Sequence, residues 1–225
     1  MQNNTSTLPI IGGLVIITII VIGAVMFGNE GPTDPNKPQF DAAALFNADD
    51  PNALVIGDKN IQPTMFVISD YQCPFCKKLH DEVLSLIIDN YVKTNELKIV
   101  MRNKAFLGPE SILASEGAYC ANEQNKFAEF SEILFSNQTG ENIGNFIKSK
   151  LERFASDIGI DSTKFNDCLQ SDKYDQYVKG ETKAIDAQDI NSTPTSYIDG
   201  QKIIGAQSYQ AYKTIIDKYL NINTN

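Results

Sequence analysis

The chain has 225 residues, a formal net charge of −9, a single histidine and four cysteines. No cluster of Lys and Arg breaks the acidic balance, so phosphate would be repelled and nucleic acid is excluded as a partner. Four cysteines are too few for a disulfide scaffold in a domain of this size, and two of them are spaced C-x-x-C. That count suggests one reactive pair and one spare pair.

The amino-terminal block is apolar and separate from the rest. Glu30 is the first charged side chain, and Ile10 to Phe27 is a run of eighteen uncharged residues, about 27 Å long as a helix against a hydrocarbon core of roughly 30 Å. Residues 1–9 read as a short tail and 10–27 as a transmembrane anchor. A cleaved signal peptide competes with this reading, but Met1 to Pro9 lacks a basic n-region and no clear small-x-small cleavage site follows. A buried soluble helix competes less well, because the stretch is apolar all round. The flanks give little topological signal. The expected arrangement is a single-pass cell-membrane protein with a cytoplasmic tail and its main domain on the extracytoplasmic side. Residues 28–50, with Gly31, Pro32, Pro35 and Pro38, read as a tether. Residues 51–222 then suffice for one domain.

Within that domain Thr64 to Ser69 (TMFVIS) predicts a buried strand, and Asp70-Tyr71-Gln72 ends it. Pro74 suits the first position of a helix, which makes Cys73 its N-cap. Cys76, Leu79, Val83, Leu86 and Ile87 fall on one helical face, and Leu97 to Arg102 (LKIVMR) supplies a second strand of a β-α-β unit with a parallel sheet. From about residue 108 to 190 the period is helical, including segments that begin near Ser111, Lys126, Asn142 and Asp172. Thr195–Ile198 and Lys202–Ile204 flank Asp199-Gly200, a type I′ hairpin signature. Ser208 to Leu220 closes with a helix. The two sheet-forming halves must share one sheet to bury their apolar faces.

A thiol attacks only as thiolate, and free Cys has a pKa of about 8.5. As N-cap, Cys73 would face the unpaired N–H groups of Phe75 and Cys76 and the positive end of the helix dipole, both of which favour a negative sulfur. Cys73 is therefore the expected exposed nucleophile and Cys76, pointing inward, the resolving thiol. Half a zinc site is the competing reading, but Cys120 and Cys168 lie far apart and do not supply a second close pair. No metal or organic cofactor is expected. Asp70 is either a proton acceptor for Cys76 or a solvated loop carboxylate, and the two readings weigh equally. His80 sits two helical turns from Cys73 and reads as a surface or boundary residue.

The residues DYQCPFCKKLH after an apolar strand, with STPTSYIDGQKIIGA near the end, resemble the DsbA family of thioredoxin-fold proteins, particularly its membrane-tethered branch. The resemblance covers about residues 51–222. It implies an α/β thioredoxin fold with a helical insertion, preceded here by one transmembrane helix. It places a cis-proline at Pro194, with Thr193 pairing the substrate backbone by strand addition. The acidic relay that some relatives keep six positions before the first Cys is Val67 here, and the Trp of thioredoxin is missing. A structural disulfide between Cys120 and Cys168 is also implied, with two free buried thiols as the alternative.

The implied activity is thiol-disulfide exchange at Cys73 and Cys76 that introduces disulfides into unfolded or reduced exported proteins. The implied re-oxidising partner is membrane-bound, quinone-linked and of the DsbB or VKOR type. A disulfide isomerase or reductase of the same fold is the runner-up, and a non-enzymatic module that binds extended peptides is the reading from a different class.

Overall fold

A computed structural model describes residues 34–223. The expected tail at 1–9 and transmembrane anchor at 10–27 lie outside the described residues. Among the described residues no helix is long and apolar enough to cross a membrane.

A five-stranded sheet forms the centre, in the order β1-β3-β2-β4-β5, with β1 Leu54–Ile56, β2 Thr64–Ser69, β3 Lys98–Asn103, β4 Thr195–Ile198 and β5 Gln201–Ile204. Only β2 and β3 run parallel, with Val67 opposite Met101 and Ser69 opposite Asn103; every other pairing is antiparallel. The parallel pair is covered on both faces, which is why β3 is buried at every position. Strand β1 was not among the predicted strands. Its three residues, LVI, are too few to show a period.

The β2–β3 connection is one helical run: α1 Pro74–Leu79, a widened turn His80–Leu84, α2 Ser85–Ile87 and a second widened turn Ile88–Val92. In the widened turns Ser85 N–H reaches back to His80 O and Lys93 N–H to Ile88 O, five residues rather than four. Each such turn rotates the face that follows. Leu84, Tyr91 and Val92 are consequently buried with Val83 and Ile87, while Leu86, expected on that face, is exposed.

Five helices make the insertion: α3 Pro109–Asn122, α4 Phe127–Asn137, α5 Lys148–Asp157, α6 Ser162–Gln170 and α7 Asp175–Asp186. The helix expected from Asn142 starts only at Lys148, because the intervening N–H groups of Gly144 and Phe146 bond the Glu110 carboxylate at 2.6 and 2.7 Å instead of a helical ladder. Cys120 on α3 is disulfide-bonded to Cys168 on α6, with Cα atoms 5.8 Å apart. Residues 195–204 form the hairpin, Asp199 and Gly200 having φ of 47° and 74° as the turn requires. Helix α8, Tyr209–Asn223, closes the chain.

The tether expected over residues 28–50 differs from what is observed from Pro35 onward. Leu45 is buried, Phe40 packs edge-on against Tyr177, and Phe46 packs against Phe66 and Tyr197. The buried Arg102 guanidinium donates to Leu45 O, Ala44 O, Asn47 O and the Asp50 carboxylate, at 2.6 to 3.0 Å. Prolines suggested solvation, but a buried cation on β3 gives this segment's carbonyls their partners. Residues 35–50 are a strap on the domain.

Candidate active site

The redox motif sits where β2 hands over to α1. Ser69 ends β2, Cys73 N–H donates to Asp70 O at 3.0 Å to close a turn, and Cys73 O accepts from Cys76 and Lys77 N–H at 3.0 and 3.1 Å. Cys73 is extended (φ −73°, ψ 121°) and Pro74 occupies the first helical turn, so the sulfur lies at the helix's amino end. Both cysteines are free thiols.

The two thiols are held unequally. Cys73 is lowered from 9.0 to about 6, above all by the Cys76 thiol donating to it; burial opposes this, and the Thr193 hydroxyl and the N–H groups of Cys76 and Phe75 add to it. Cys76 is pushed well up, first by burial and then by the neighbouring Cys73. A thiolate therefore forms at Cys73 while Cys76 keeps its proton. Cys73 was expected to be exposed, yet it is buried, because the loop before β4 lies over it; its thiol faces Thr193 O at 3.5 Å. The Thr193–Pro194 peptide is cis. Thr193 Oγ1 is buried without another partner among the described residues, which leaves it available to the Cys73 thiolate.

That covering loop is itself anchored. Lys104 Nζ donates to Ile190 O at 2.5 Å and pairs with Asp186, Thr195 Oγ1 donates to Ser192 O at 2.7 Å, and Gly205 N–H donates to Pro194 O at 2.8 Å. Around the motif Phe75 is 63% exposed, and Phe106 and Ile204 also stand out of the surface. Phe106 N–H bonds Asp70, and Ile204 pairs with Thr195, so each apolar side chain belongs to a segment that touches the redox loop.

Asp70 is not the solvated loop carboxylate that was one of the two readings of it. It is buried, and both carboxylate oxygens are occupied: Oδ1 by Gln72 N–H and Ser111 Oγ at 2.8 and 2.7 Å, Oδ2 by Phe106 and Leu107 N–H at 3.0 and 3.2 Å. Burial raises its pKa against those four bonds. The carboxylate ties the redox loop to the start of the insertion. His80 is half-buried, stacked on Phe135 at 4.6 Å, with its two ring nitrogens near Asp81 and Glu132. Nδ1 faces Asp81 on its own helical run and Nε2 faces Glu132 on α4. Val67 is buried in β2, and among the described residues no cluster could hold a metal ion.

Sequence reasoning missed the partner of Asp70 in this knot. Gln72, fully buried, donates through Nε2 to Ser111 Oγ at 2.9 Å and to Asn142 Oδ1 at 3.3 Å, and accepts from Asn142 N–H at 2.5 Å. Ser111 and Asn142 lie 39 and 70 positions away, and nothing local marks them.

The thioredoxin family model matches residues 49–218, and the chain belongs to that family. A curated relative from Rickettsia felis, whose name assigns it provisionally to the protein-disulfide oxidoreductases, is 25% identical over 177 residues, 78% of this chain and 62% of that protein. The chain therefore spans less than two thirds of that relative's length. Disulfide bond formation protein D of Bacillus subtilis is 25% identical over 74% of this chain and 76% of its own length. Among solved structures, oxidised BdbD from Bacillus subtilis has a TM-score of 0.70 at 21% identity, covering 84% of this chain and all of that one. Wolbachia pipientis alpha-DsbA1 has a TM-score of 0.68 at 19% identity, covering 78% and 96%. The DsbA resemblance read from two motifs thus extends to the whole fold.

Proposed function

We propose that this protein is a thiol-disulfide oxidoreductase that introduces disulfide bonds into exported proteins. The observation that carries the reading is the asymmetric dithiol beneath the Thr193–Pro194 loop, one thiol lowered to about 6 and the other raised. With the pair oxidised, a client thiolate attacks Cys73 Sγ, the Cys73–Cys76 bond breaks, and Cys76 departs and takes up a proton. A second client thiolate then attacks the client sulfur of the mixed disulfide, and Cys73 leaves as its stabilised thiolate. The client has lost two electrons and two thiol protons; the dithiol has gained the two electrons and, at Cys76, one proton, and the other proton passes to solvent. The Thr193 backbone offers a strand-like edge to an extended client, and the exposed Phe75, Phe106 and Ile204 give its apolar side chains somewhere to rest.

The electrons pass to a membrane quinone-linked partner of the DsbB or VKOR type, and residues 10–27 hold the enzyme in the same membrane with its domain on the extracytoplasmic side. The uncharged run at 10–27 supports the membrane placement, and the name of the Bacillus subtilis relative, disulfide bond formation protein D, supports the oxidising direction. The test is to mix the oxidised protein with a reduced, denatured substrate. Client thiols should disappear in step with protein disulfides; a non-enzymatic binder would leave them unchanged, and that result would refute the reading.

A further inference from the structure

A cavity of about 340 Å³ opens beside the redox motif, lined by Gln72, Pro74, Gln138, Thr139, Gly140 and Glu141. Two of its walls are adjacent to the chemistry, since Gln72 and Pro74 flank Cys73 in sequence. The other four come from the loop after α4, which is fastened with care. Asn142 N–H and side chain hold Gln72 and Leu107 O, and the Glu110 carboxylate takes the N–H groups of Gly144 and Phe146. Gly108 allows the approach, for a Cβ there would meet the Asn142 side chain at 2.5 Å and its φ of 123° is open only to glycine. A fixed wall next to a nucleophile is what a specificity site requires.

The chemistry of the wall selects its guest. Glu141 supplies the one charged side chain in the lining and makes no hydrogen bond or ion pair among the described residues. Pro74, Gly140 and the stem of Thr139 give apolar surface below it. Gln138, also in the wall, is buried, and its Nε2 has no acceptor among the described residues. A long aliphatic side chain ending in a cation fits such a pocket, its stem against the apolar wall and its head at the carboxylate.

We propose that this cavity is a client subsite for a lysine or arginine side chain next to the reacting cysteine, with Glu141 as the specificity-determining residue and Gln72 and Glu110 as positioning residues. This rests on the oxidoreductase reading above. The site lies in the insertion's loop and is separate from the apolar rim formed by Phe75, Phe106 and Ile204.

The test uses the full chain, oxidised, and three reduced dithiol peptides that differ only in Lys, Ala or Glu flanking the first cysteine. The Lys peptide should have the highest kcat/KM, above Ala by roughly threefold to fivefold, the scale of one partly exposed ion pair. The advantage should sit in KM and shrink with added salt. Glu141→Lys should reverse the order. Asp157→Lys, at an exposed position of α5 outside the cavity's lining and carrying the same change of net charge, should leave it intact. No Lys preference, or a preference lost equally in both variants, overturns the subsite while leaving the oxidoreductase reading standing. Failure of the protein to oxidise any of the peptides overturns both.

Discussion

At the scale of single residues, function rests on a proton being in one place and not another. Cys73 and Cys76 have the same chemistry in water. Here the Cys76 thiol serves as donor to the Cys73 sulfur, and Cys76 is then too buried to ionise in turn. The drop from 9.0 to about 6 at Cys73 corresponds to roughly 4 kcal/mol in favour of the folded thiolate form. Because the folded pKa is the lower one, this stabilisation of the reduced protein is complete above about pH 9 and disappears as pH falls through about 6. Thr193→Val removes one of the donors, so the pH at which reduced Cys73 becomes reactive to an alkylating reagent should move upward. An unchanged midpoint would mean that the Thr193 hydroxyl plays no part. Cys76→Ala removes the resolving sulfur, and this variant should accumulate mixed disulfides with clients in cells, visible on non-reducing gels. An absence of such species would count directly against exchange chemistry.

At the scale of elements, two ties between distant segments carry stability, and they differ in how visible they were. Cys120 and Cys168 were marked by residue type and by the DsbA resemblance, and they are bonded across 48 positions. Loop-closure entropy gives such a bridge about 4 kcal/mol at most. Cys120→Ser with Cys168→Ser should therefore lower the urea midpoint without changing the Cys73 pKa; an unaltered midpoint would mean that the loop is already constrained by packing. The strap was not marked at all. An Arg inside LKIVMR reads as the polar end of a strand, and only the fold reveals that its guanidinium reaches four groups 52 to 58 positions earlier. Arg102→Ala would leave Asp50 and the buried Glu181 without their cation, at a cost of about 3 to 5 kcal/mol. Equilibrium denaturation measures this directly, and a loss under about 1 kcal/mol would reduce the pair to a surface-like contact. The widened turns after Leu79 were equally invisible, since the apolar spacing of LSLII suits an ordinary helix until hydrogen bonds five residues apart rotate Leu86 outward.

At the scale of the whole molecule, what the sequence made legible is what short-range rules govern. The strand before the motif, Pro74 at the helix start, the Asp-Gly turn and the helical period of the insertion all depend on residues within a few positions of one another. What it left hidden is what tertiary packing decides: β1, the strap, the Asp70–Gln72–Asn142 knot, and the burial of Cys73 under the Thr193 loop. The same division explains Asp70, whose position near a helix start left a proton acceptor and a solvated carboxylate equally open, while its four donors come from residues up to 41 positions away. For an oxidant, the reduced form should be the more stable one, because folding and redox state are linked through the Cys73 thiolate. Greater stability of the disulfide form would favour a reductase.

The most direct test is a pH titration of thiolate absorbance in the reduced, full-length protein. One sulfur should ionise near pH 6, disappear from the titration in a Cys73→Ser variant, and be followed by no second ionisation until well above pH 9. Two sulfurs ionising together near the ordinary cysteine value of about 8.5 would contradict the assignment of Cys73 as a stabilised nucleophile and Cys76 as its shielded partner.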